Sequence, residues 1–282
     1  EEGMMRFALF GNPVAQTLSP LMHNAALAAM GIPGRYEAVL VEDLGKAVQS
    51  LREGRLDGAS VTIPFKEEVM GLLDDLDGEA EQIGAVNTIV KKNGRLVGFN
   101  TDGKALLLSL AAVLDVPGRT FAVLGTGGTA RATLYAVRSG GGRAVVLGRT
   151  PAKVRELAGR WGCPGYDLAE ITTVRADVII NTTPVGMGHR AGESPLDRNL
   201  LRECSAEWVV DVIYRPRKTR LLLEAEAAGR KTLGGVEMFV RQGAGQIRLW
   251  TGAEPPVSLM REAVLRRLKE EESALTGRRK HE

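Results

Sequence analysis

With 282 residues, of which 44% are hydrophobic and 25% charged, the chain has enough apolar side chains to bury a sizeable core, so a disordered protein is excluded and two domains are expected. Its 37 basic and 34 acidic residues are spread along the sequence, which argues against a nucleic-acid-binding patch, and no stretch approaches the ~20 apolar residues of a membrane helix. Cys163 and Cys204 have neither metal-site nor disulfide spacing, so we expect a cytoplasmic protein that uses no metal, nucleic acid or membrane.

The first third of the chain alternates short apolar strands with amphipathic helices, an order typical of a parallel α/β domain. Strands are predicted over 6–10, 36–41 and 58–63, and helices over 20–30, 44–52 and 65–73. Ser19 followed by Pro20 is typical of a helix N-cap and first turn, and Gly31 is typical of the residue that ends a helix.

Beyond residue 85 the pattern changes to a β-hairpin and then to a second α/β region. Strand-like runs at 86–90 and 96–99 flank Asn93-Gly94, a pair that favours a tight two-residue turn. The strands predicted over 121–124, 144–147, 178–181 and 208–212 are continuous aliphatic runs, as expected when helices cover both faces of a parallel sheet. This half is therefore predicted to be a doubly wound sheet of the Rossmann type.

Helices predicted over 236–250 and 258–269 have no strand left to pair with. We expect them to pack back on the first domain, which makes that domain discontinuous. The predicted domains are 4–102 with 241–275, and 103–240, with a cleft between them, and a polar tail is expected at 276–282.

A glycine-rich segment follows the strand at 121–124 and opens a helix, which is the context that a dinucleotide-binding loop requires. Gly125 permits the tight turn, Gly127 permits close approach of the backbone to a pyrophosphate, and Ala130 is small enough for helix-to-strand packing. The alternative is a glycine-rich loop that binds no ligand. The position of the segment between a strand and a helix disfavours this alternative. The predicted binding residues are Gly125, Thr126, Gly127, Gly128, Thr129 and Ala130.

The next strand ends in Gly148-Arg149-Thr150, where an NAD-specific enzyme would place Asp or Glu against the ribose hydroxyls. A guanidinium with a neighbouring hydroxyl suits the 2′-phosphate of NADP, because it binds phosphate oxygens in a bidentate way. Lys153 could add a second positive charge or could be an ordinary surface lysine. The segment predicts NADP as the cofactor.

Two charged residues have both a structural and a catalytic explanation. Lys66 falls in the first turn of the helix predicted over 65–73, where the macrodipole disfavours a cation, so it is either a surface lysine or one placed to give up its proton. Asp102 precedes a helix, so it is either a capping carboxylate or a catalytic one.

Taken together, the motifs of this sequence resemble the shikimate dehydrogenase family, and the resemblance extends from about residue 7 to residue 252. The matching segments are 10–13, 19–24, 60–66, 84–88, 100–103, 125–130, 148–150, 181–187, 211–214 and 234–242. The family implies a discontinuous N-terminal α/β substrate-binding domain, an NADP-binding Rossmann domain, and reversible reduction of 3-dehydroshikimate to shikimate in chorismate and aromatic amino acid biosynthesis.

The same resemblance implies a role for individual residues. Lys66 and Asp102 would form the catalytic pair, and Thr17 and Ser19 would bind the substrate carboxylate. The rest of the substrate pocket would be Thr62, Asn87, Tyr214 and Gln242. Besides the glycine loop, Arg149, Thr150 and Lys153, the cofactor would contact Asn181, Thr182, Thr183, Val212, Gly235 and Met238.

The sequence departs from the family pattern at two positions. Thr17 stands where a serine is usual, and its additional methyl can change the fit of a ligand by about 1 to 3 kcal/mol, enough to tune the preference between shikimate and quinate. Gly148 replaces an asparagine and removes one expected contact to the cofactor. A quinate/shikimate dehydrogenase using NAD and a non-catalytic NADP-binding paralogue are the alternatives, and either a monomer or a homodimer is compatible with the sequence.

Overall fold

In the computed structural model, which describes residues 3–278, the chain forms two compact units. The first contains residues 3–80, 86–101 and 240–278, and the second contains residues 81–85 and 102–239. Each unit is built on a six-stranded sheet flanked by helices, which confirms the α/β class. The boundaries drawn from the sequence for the functional domains stay a prediction.

Over the described residues the strands are, in chain order, β1 (Met5–Gly11), β2 (Gly34–Leu40), β3 (Gly58–Val61), β4 (Asp75–Leu76), β5 (Thr88–Lys92), β6 (Arg95–Phe99), β7 (Thr120–Leu124), β8 (Arg143–Gly148), β9 (Gly165–Asp167), β10 (Val178–Asn181), β11 (Trp208–Asp211) and β12 (Lys231–Leu233). The α-helices are α1 (Ser19–Ala29), α2 (Leu44–Arg52), α3 (Gly78–Ile83), α4 (Asp102–Ala111), α5 (Gly128–Ser139), α6 (Pro151–Trp161), α7 (Arg198–Glu203), α8 (Arg220–Ala227), α9 (Val236–Thr251) and α10 (Val257–Arg278). Within residues 3–278 no helix is both long and apolar enough to cross a bilayer.

The sheet of the first unit has the strand order β2-β1-β3-β5-β6-β4. Its strand β1 is buried on both faces: Ala8 and Phe10 join an apolar cluster with α2, whereas Phe7 and Leu9 pack with α1 and with Trp250 of α9. The indole of Trp250 stacks on Phe7 at 4.5 Å between ring centroids. The late helices α9 and α10 therefore help to build this unit, and α10 packs against α1.

The sheet of the second unit has the order β12-β11-β10-β7-β8-β9, and every pair of neighbouring strands in it is parallel. Alternate residues of β7 face two different sides of the sheet, with Ala122 and Leu124 on one and Phe121 and Val123 on the other. Burial on both faces explains why these strands read as unbroken aliphatic runs. The doubly wound architecture expected from that pattern is confirmed.

The hairpin predicted around Asn93-Gly94 is confirmed. Strands β5 and β6 pair in an antiparallel register that places Lys92 opposite Arg95. Asn93 and Gly94 both have positive φ, 50° and 78°, as the tight turn between right-twisted strands requires.

The helix predicted over 65–73 is instead a short 3₁₀ helix at Glu68–Leu72, and Lys66 lies in a turn before it. Gly71 disfavours a longer helix, and Leu73 has already returned to extended backbone with φ −98° and ψ 158°. The macrodipole argument for Lys66 was therefore wrong, because no α-helix begins there.

Two helix ends also differ from expectation. The N-cap of α1 is Leu18 rather than Ser19, because the Thr17 hydroxyl accepts from the Ser19 N–H at 3.1 Å and the chain has turned one residue earlier. Gly31, with φ 66°, follows α1 as predicted. The tail expected at 276–282 begins as helix, since α10 continues to Arg278, and its residues 279–282 lie outside the described residues.

Candidate functional site

One edge of the first sheet carries two of the residues predicted to bind substrate. Thr62 follows β3 and Asn87 precedes β5, and because these strands are antiparallel the end of one lies beside the start of the other. The Val61 N–H donates to the Asn87 carbonyl oxygen at 2.7 Å. The strand pairing therefore brings the segments of Thr62 and Asn87 together although 25 positions separate them in the sequence.

The side chain of Asn87 is held by hydrogen bonds on both of its polar atoms. Its Oδ1 accepts from the Thr101 N–H at 2.9 Å and from the Thr88 hydroxyl at 2.7 Å, and its Nδ2 donates to Thr101 Oγ1 at 2.8 Å. The Thr101 hydroxyl in turn donates to the Gln242 carbonyl oxygen at 2.9 Å. These bonds place Asn87 and Gln242, two predicted pocket residues, on either side of Thr101.

Thr101 was not predicted as a site residue, although its neighbours in the segment 100–103 were part of the family resemblance. A Cβ at Gly245 would come within 3.0 Å of the Thr101 side chain. The glycine thus allows α9 to approach Thr101 closely, and only the folded structure reveals this pairing.

The start of α1 carries the two predicted carboxylate ligands. Thr17 lies in the loop before the helix and Ser19 is its first residue, 5% exposed. No side chain caps this helix at Leu18. A helix N-terminus with two hydroxyls beside it suits a carboxylate, because the amide groups there point outward and the helix dipole favours negative charge.

The structure gives each predicted catalytic residue a defined backbone position. Lys66 is half-buried, and its carbonyl oxygen accepts from the Val86 N–H at 2.7 Å, which ties it to the segment that leads to Asn87. Asp102 opens α4 and is 4% exposed, so a carboxylate stands at the favourable end of a helix dipole. Lys66 belongs to the first unit and Asp102 to the second, and their pairing stays a prediction.

In the second unit, the turn from β7 into α5 has the geometry of an anion-binding loop. Gly125 has φ 116°, and a Cβ there would come within 2.6 Å of Thr182 Oγ1, so both its backbone and its surroundings require glycine. Gly127 is the N-cap of α5, and a Cβ there would meet nothing within 4 Å. The loop therefore presents open backbone at the N-terminus of a twelve-residue helix.

The predicted phosphate-reading residues follow the neighbouring strand. Strand β8 pairs with β7 in parallel, with Leu147 opposite Leu124, so Arg149 and the glycine loop leave the sheet at the same edge. Arg149, Thr150 and Lys153 are exposed, and Thr150 is the N-cap of α6 without a side-chain capping bond. No carboxylate occupies the position that NAD-specific sites use.

A second basic group near this edge was missed by the sequence analysis. The guanidinium of Arg190, hydrogen-bonded to Glu193 at 2.6 and 3.0 Å, lowers the pKa of that carboxyl, and the positive charges of His189 and Arg149 lower it further. Arg149 is therefore close enough to residues 189–193 for their charges to interact. The available signal was His189-Arg190, a basic pair directly after the segment 181–187.

Asn181 shapes the turn after β10. It is fully buried, its Nδ2 donates to the Val185 carbonyl oxygen at 3.2 Å and to Asp211 Oδ1 at 3.1 Å, and its Oδ1 accepts from the N–H and the hydroxyl of Thr183. The Thr182 hydroxyl donates to the Leu124 carbonyl oxygen at 2.6 Å. Thr182 thus bonds to the residue that precedes the glycine loop, Asn181 stabilises the turn at residues 181–185, and contacts of both with a cofactor stay a prediction.

Asp211, at the end of β11, is a buried carboxyl that the sequence analysis did not single out. Its Oδ1 also accepts from the Ile213 N–H at 3.1 Å, and its Oδ2 accepts from the Thr219 hydroxyl at 2.7 Å. Burial raises its pKa to about 6, against the lowering effect of these hydrogen bonds and that from Asn181. Within residues 3–278 no cluster of histidine, cysteine and carboxylate side chains could hold a metal ion.

The remaining predicted residues lie around the start of α9. A Cβ at Gly235 would collide with the Val212 carbonyl group, so the backbones of these two segments are in direct contact. Met238 is 7% exposed, and the ring of Tyr214 stacks on Phe239 with 3.8 Å between centroids. Val212, Gly235, Met238 and Tyr214 therefore share one region of the second unit.

Comparison with known proteins identifies two matching family models. Residues 9–89 match the shikimate dehydrogenase substrate binding domain, and residues 235–265 match the shikimate 5′-dehydrogenase C-terminal domain. Among curated proteins, the chain is 42% identical to shikimate dehydrogenase (NADP(+)) of Pyrococcus abyssi, over 94% of this chain and 99% of that protein. It is 39% identical to the enzyme of the same name from Bacillus subtilis, over 93% and 97% of the two chains.

Solved structures give the same result. Shikimate 5-dehydrogenase from Thermus thermophilus, in complex with NADP(H) and shikimate, aligns with a TM-score of 0.83 at 40% identity, over 93% of this chain and 99% of that one. Quinate dehydrogenase from Corynebacterium glutamicum, in complex with NAD, aligns with a TM-score of 0.82 at 30% identity, over 93% and 99%.

The raised pKa of Asp211 predicts a pH dependence of stability. Between the usual value of 3.8 and about 6, the folded chain retains a proton that the unfolded chain has lost. The contribution of Asp211 to the free energy of unfolding is therefore fully present below pH 3.8 and is lost as the pH rises through about 6. The free energy of unfolding falls by about 3 kcal/mol between these two pH values. We expect Asp211→Asn, which cannot ionise, to gain stability relative to the wild type over this range, as measured by urea unfolding at several pH values.

Asp115→Asn, at an exposed aspartate of the same unit, is the control for that measurement. Its free energy of unfolding should stay parallel to that of the wild type at every pH. Parallel curves for Asp211→Asn as well would show that the buried carboxyl does not retain its proton in the folded state.

Proposed function

Because this chain belongs to the shikimate dehydrogenase family, we propose that it is an oxidoreductase that catalyses the NADP-dependent, reversible reduction of 3-dehydroshikimate to shikimate. The observation that carries this function is the 42% identity to an NADP-dependent shikimate dehydrogenase over 94% of the chain, which covers both units. In keeping with the family, we assign the chain to chorismate and aromatic amino acid biosynthesis in the cytoplasm.

The second unit suits NADP. The open backbone at Gly127 and the N-terminus of α5 can bind the pyrophosphate, and Arg149, at the end of the neighbouring strand, can bind the 2′-phosphate through its guanidinium. Lys153 and Arg190 add positive charge on adjacent segments. The family roles of Thr126, Thr129, Thr183, Val212, Gly235 and Met238 in contacting this cofactor form part of the same proposal.

When bound, NADPH supplies the hydride that adds to the carbonyl carbon of 3-dehydroshikimate. Negative charge then develops on the carbonyl oxygen, and the ammonium group of Lys66 stabilises this charge and donates the proton. Asp102 accepts hydrogen bonds from the substrate hydroxyl and from Lys66, which holds the donor in register with the reacting carbon. In the direction of shikimate oxidation, neutral Lys66 takes the proton back from the hydroxyl.

The residues proposed for the substrate have complementary chemistry. Thr17 and Ser19 at the start of α1 bind the carboxylate, and the polar side chains of Thr62, Asn87, Tyr214 and Gln242 bind the ring hydroxyls. The hydrogen bonds that hold Asn87 support this assignment, because a fixed amide distinguishes hydroxyl positions better than a mobile one.

A second candidate function is a quinate/shikimate dehydrogenase that uses NAD. The comparisons do not favour it over the first, because quinate dehydrogenase of Corynebacterium glutamicum is 30% identical to this chain, whereas shikimate dehydrogenase (NADP(+)) of Pyrococcus abyssi is 42% identical. Arg149 opposes it, because a guanidinium there favours the phosphorylated cofactor.

Four initial rates test the function directly. Shikimate and quinate are each oxidised with NADP and with NAD, and the absorbance of the reduced nicotinamide gives the rate. We expect the reaction of shikimate with NADP to be the fastest of the four. A faster reaction of quinate with NAD would establish the second candidate instead, and no turnover in any of the four would point to a non-catalytic paralogue.

Replacement of the proposed proton donor tests the mechanism. We expect Lys66→Ala to lower kcat for shikimate oxidation by about a hundredfold or more, because general acid–base catalysis contributes that much, while NADP still binds. Lys46→Ala, at an exposed lysine of the same unit, is the matched control and should keep its turnover. Near-normal kcat in Lys66→Ala would remove this lysine from the proton transfer.

Replacement of Arg149 tests the choice of cofactor. We expect Arg149→Ala to raise KM for NADP by about tenfold or more and to leave KM for NAD within about twofold, because only NADP has a phosphate for the guanidinium to bind. Arg155→Ala, at an exposed arginine of α6, serves as the control. Equal losses for both cofactors would show that Arg149 does not read the 2′-phosphate.

A further inference from the structure

Behind the proposed substrate residues lies a buried polar cluster that the mechanism above does not use. It consists of His23 on α1, Tyr36 on β2, Ser60 on β3 and Gln246 on α9, each no more than 2% exposed. The Tyr36 hydroxyl donates to Ser60 Oγ at 2.8 Å, and the Ser60 hydroxyl donates to Gln246 Oε1 at 2.7 Å. The ring of His23 stacks on Tyr36 at 4.0 Å.

Both ends of this cluster reach the backbone of a proposed substrate residue. Gln246 Nε2 donates to the Asn87 carbonyl oxygen at 3.0 Å, the same oxygen that accepts from Val61. On the other side, His23 Nδ1 lies 2.9 Å from the Ser19 carbonyl oxygen, and His23 Nε2 lies 3.1 Å from Gln246 Oε1. Ser19, His23, Gln246 and Asn87 therefore form one continuous chain of polar contacts.

The amide of Gln246 has only one orientation that serves Asn87. A carbonyl oxygen only accepts, so Nε2 must face Asn87 and Oε1 must face Ser60 and His23. The two nitrogens of His23 then face two acceptors, the Ser19 carbonyl and Gln246 Oε1. Burial lowers the pKa of His23 to about 4, so the ring is neutral near neutral pH and donates to only one of them at a time.

A cluster with one unsatisfied contact is a poor way to stabilise a core, because apolar side chains of the same size would serve at least as well. Such a cluster can, however, fix the geometry of its surroundings, because a buried hydrogen bond forms only at a narrow range of distances and angles. The close packing of α9 against α1 also restricts the geometry, because a Cβ at Gly243 would collide with Met22 and come within 3.2 Å of His23.

We propose that Gln246, acting with His23, is a positioning residue of the substrate site, which sets the backbone of Asn87 and Ser19 so that their side chains meet the ring hydroxyls and the carboxylate. The proposal rests on the function proposed above. It concerns the first unit alone, so it affects the substrate and leaves the cofactor loop of the second unit unchanged.

Gln246→Met tests the proposal, because it keeps the length of the side chain and removes its three polar contacts. We expect KM for shikimate to rise by about tenfold or more, KM for NADP to stay within about twofold, and kcat to change less than KM for shikimate. Gln246→Leu is the second variant: it also removes all three polar contacts but has a branched side chain, and the same rise is expected.

Ile247→Ala, at the next buried residue of α9, is the matched control for lost stability. It should lower the melting temperature and leave KM for shikimate near the wild-type value. An unchanged KM in a folded Gln246 variant, an equal rise in Ile247→Ala, or loss of the fold in both Gln246 variants would overturn the positioning role. A wild-type enzyme that does not oxidise shikimate with NADP would instead overturn the proposed function, and the positioning role with it.

Discussion

The first unit depends on the carbonyl oxygen of Asn87, which accepts two hydrogen bonds from distant parts of the chain. One comes from Val61 in the sheet, and the other comes from Gln246, 159 positions later in the sequence. A carbonyl oxygen has two lone pairs, and both are used here. Since the side chain of Asn87 is held by Thr101 as well, strand, loop and late helix meet at a single residue.

In the second unit, the proposed cofactor loop depends on glycines. A loop that is to bind a pyrophosphate through its backbone amides needs space around them, and glycines provide that space because they have no side chain. Gly125 is required both by its positive φ and by the close approach of Thr182, whereas the space around Gly127 is open. The neighbouring turns, after β10 and β11, are stabilised by buried hydrogen bonds instead: Asn181 donates to the Asp211 carboxylate, which also accepts from the Ile213 N–H.

Local patterns were sufficient to predict much of this architecture. Three features depend only on residues close together in the sequence and could therefore be predicted from it: the Asn93-Gly94 turn, the unbroken aliphatic strands and the glycine loop. The environment of Lys66 could not be predicted in this way: a pattern compatible with a helix is there a turn followed by a short 3₁₀ helix that contains Gly71. Thr101 and Gln246 were missed for a related reason, because their partners lie at distances in the sequence that no short motif spans.

Helix α9 contains Gly243 and Gly245, whose missing side chains admit Met22 and His23 in one case and Thr101 in the other. Each interior glycine disfavours a helix by about 1 kcal/mol relative to alanine, so α9 depends on its neighbours to stay folded. Its partner α1 precedes the second unit in the sequence, whereas residues 240–251 of α9 follow it. The first unit is consequently completed by a segment that follows the second unit in the sequence.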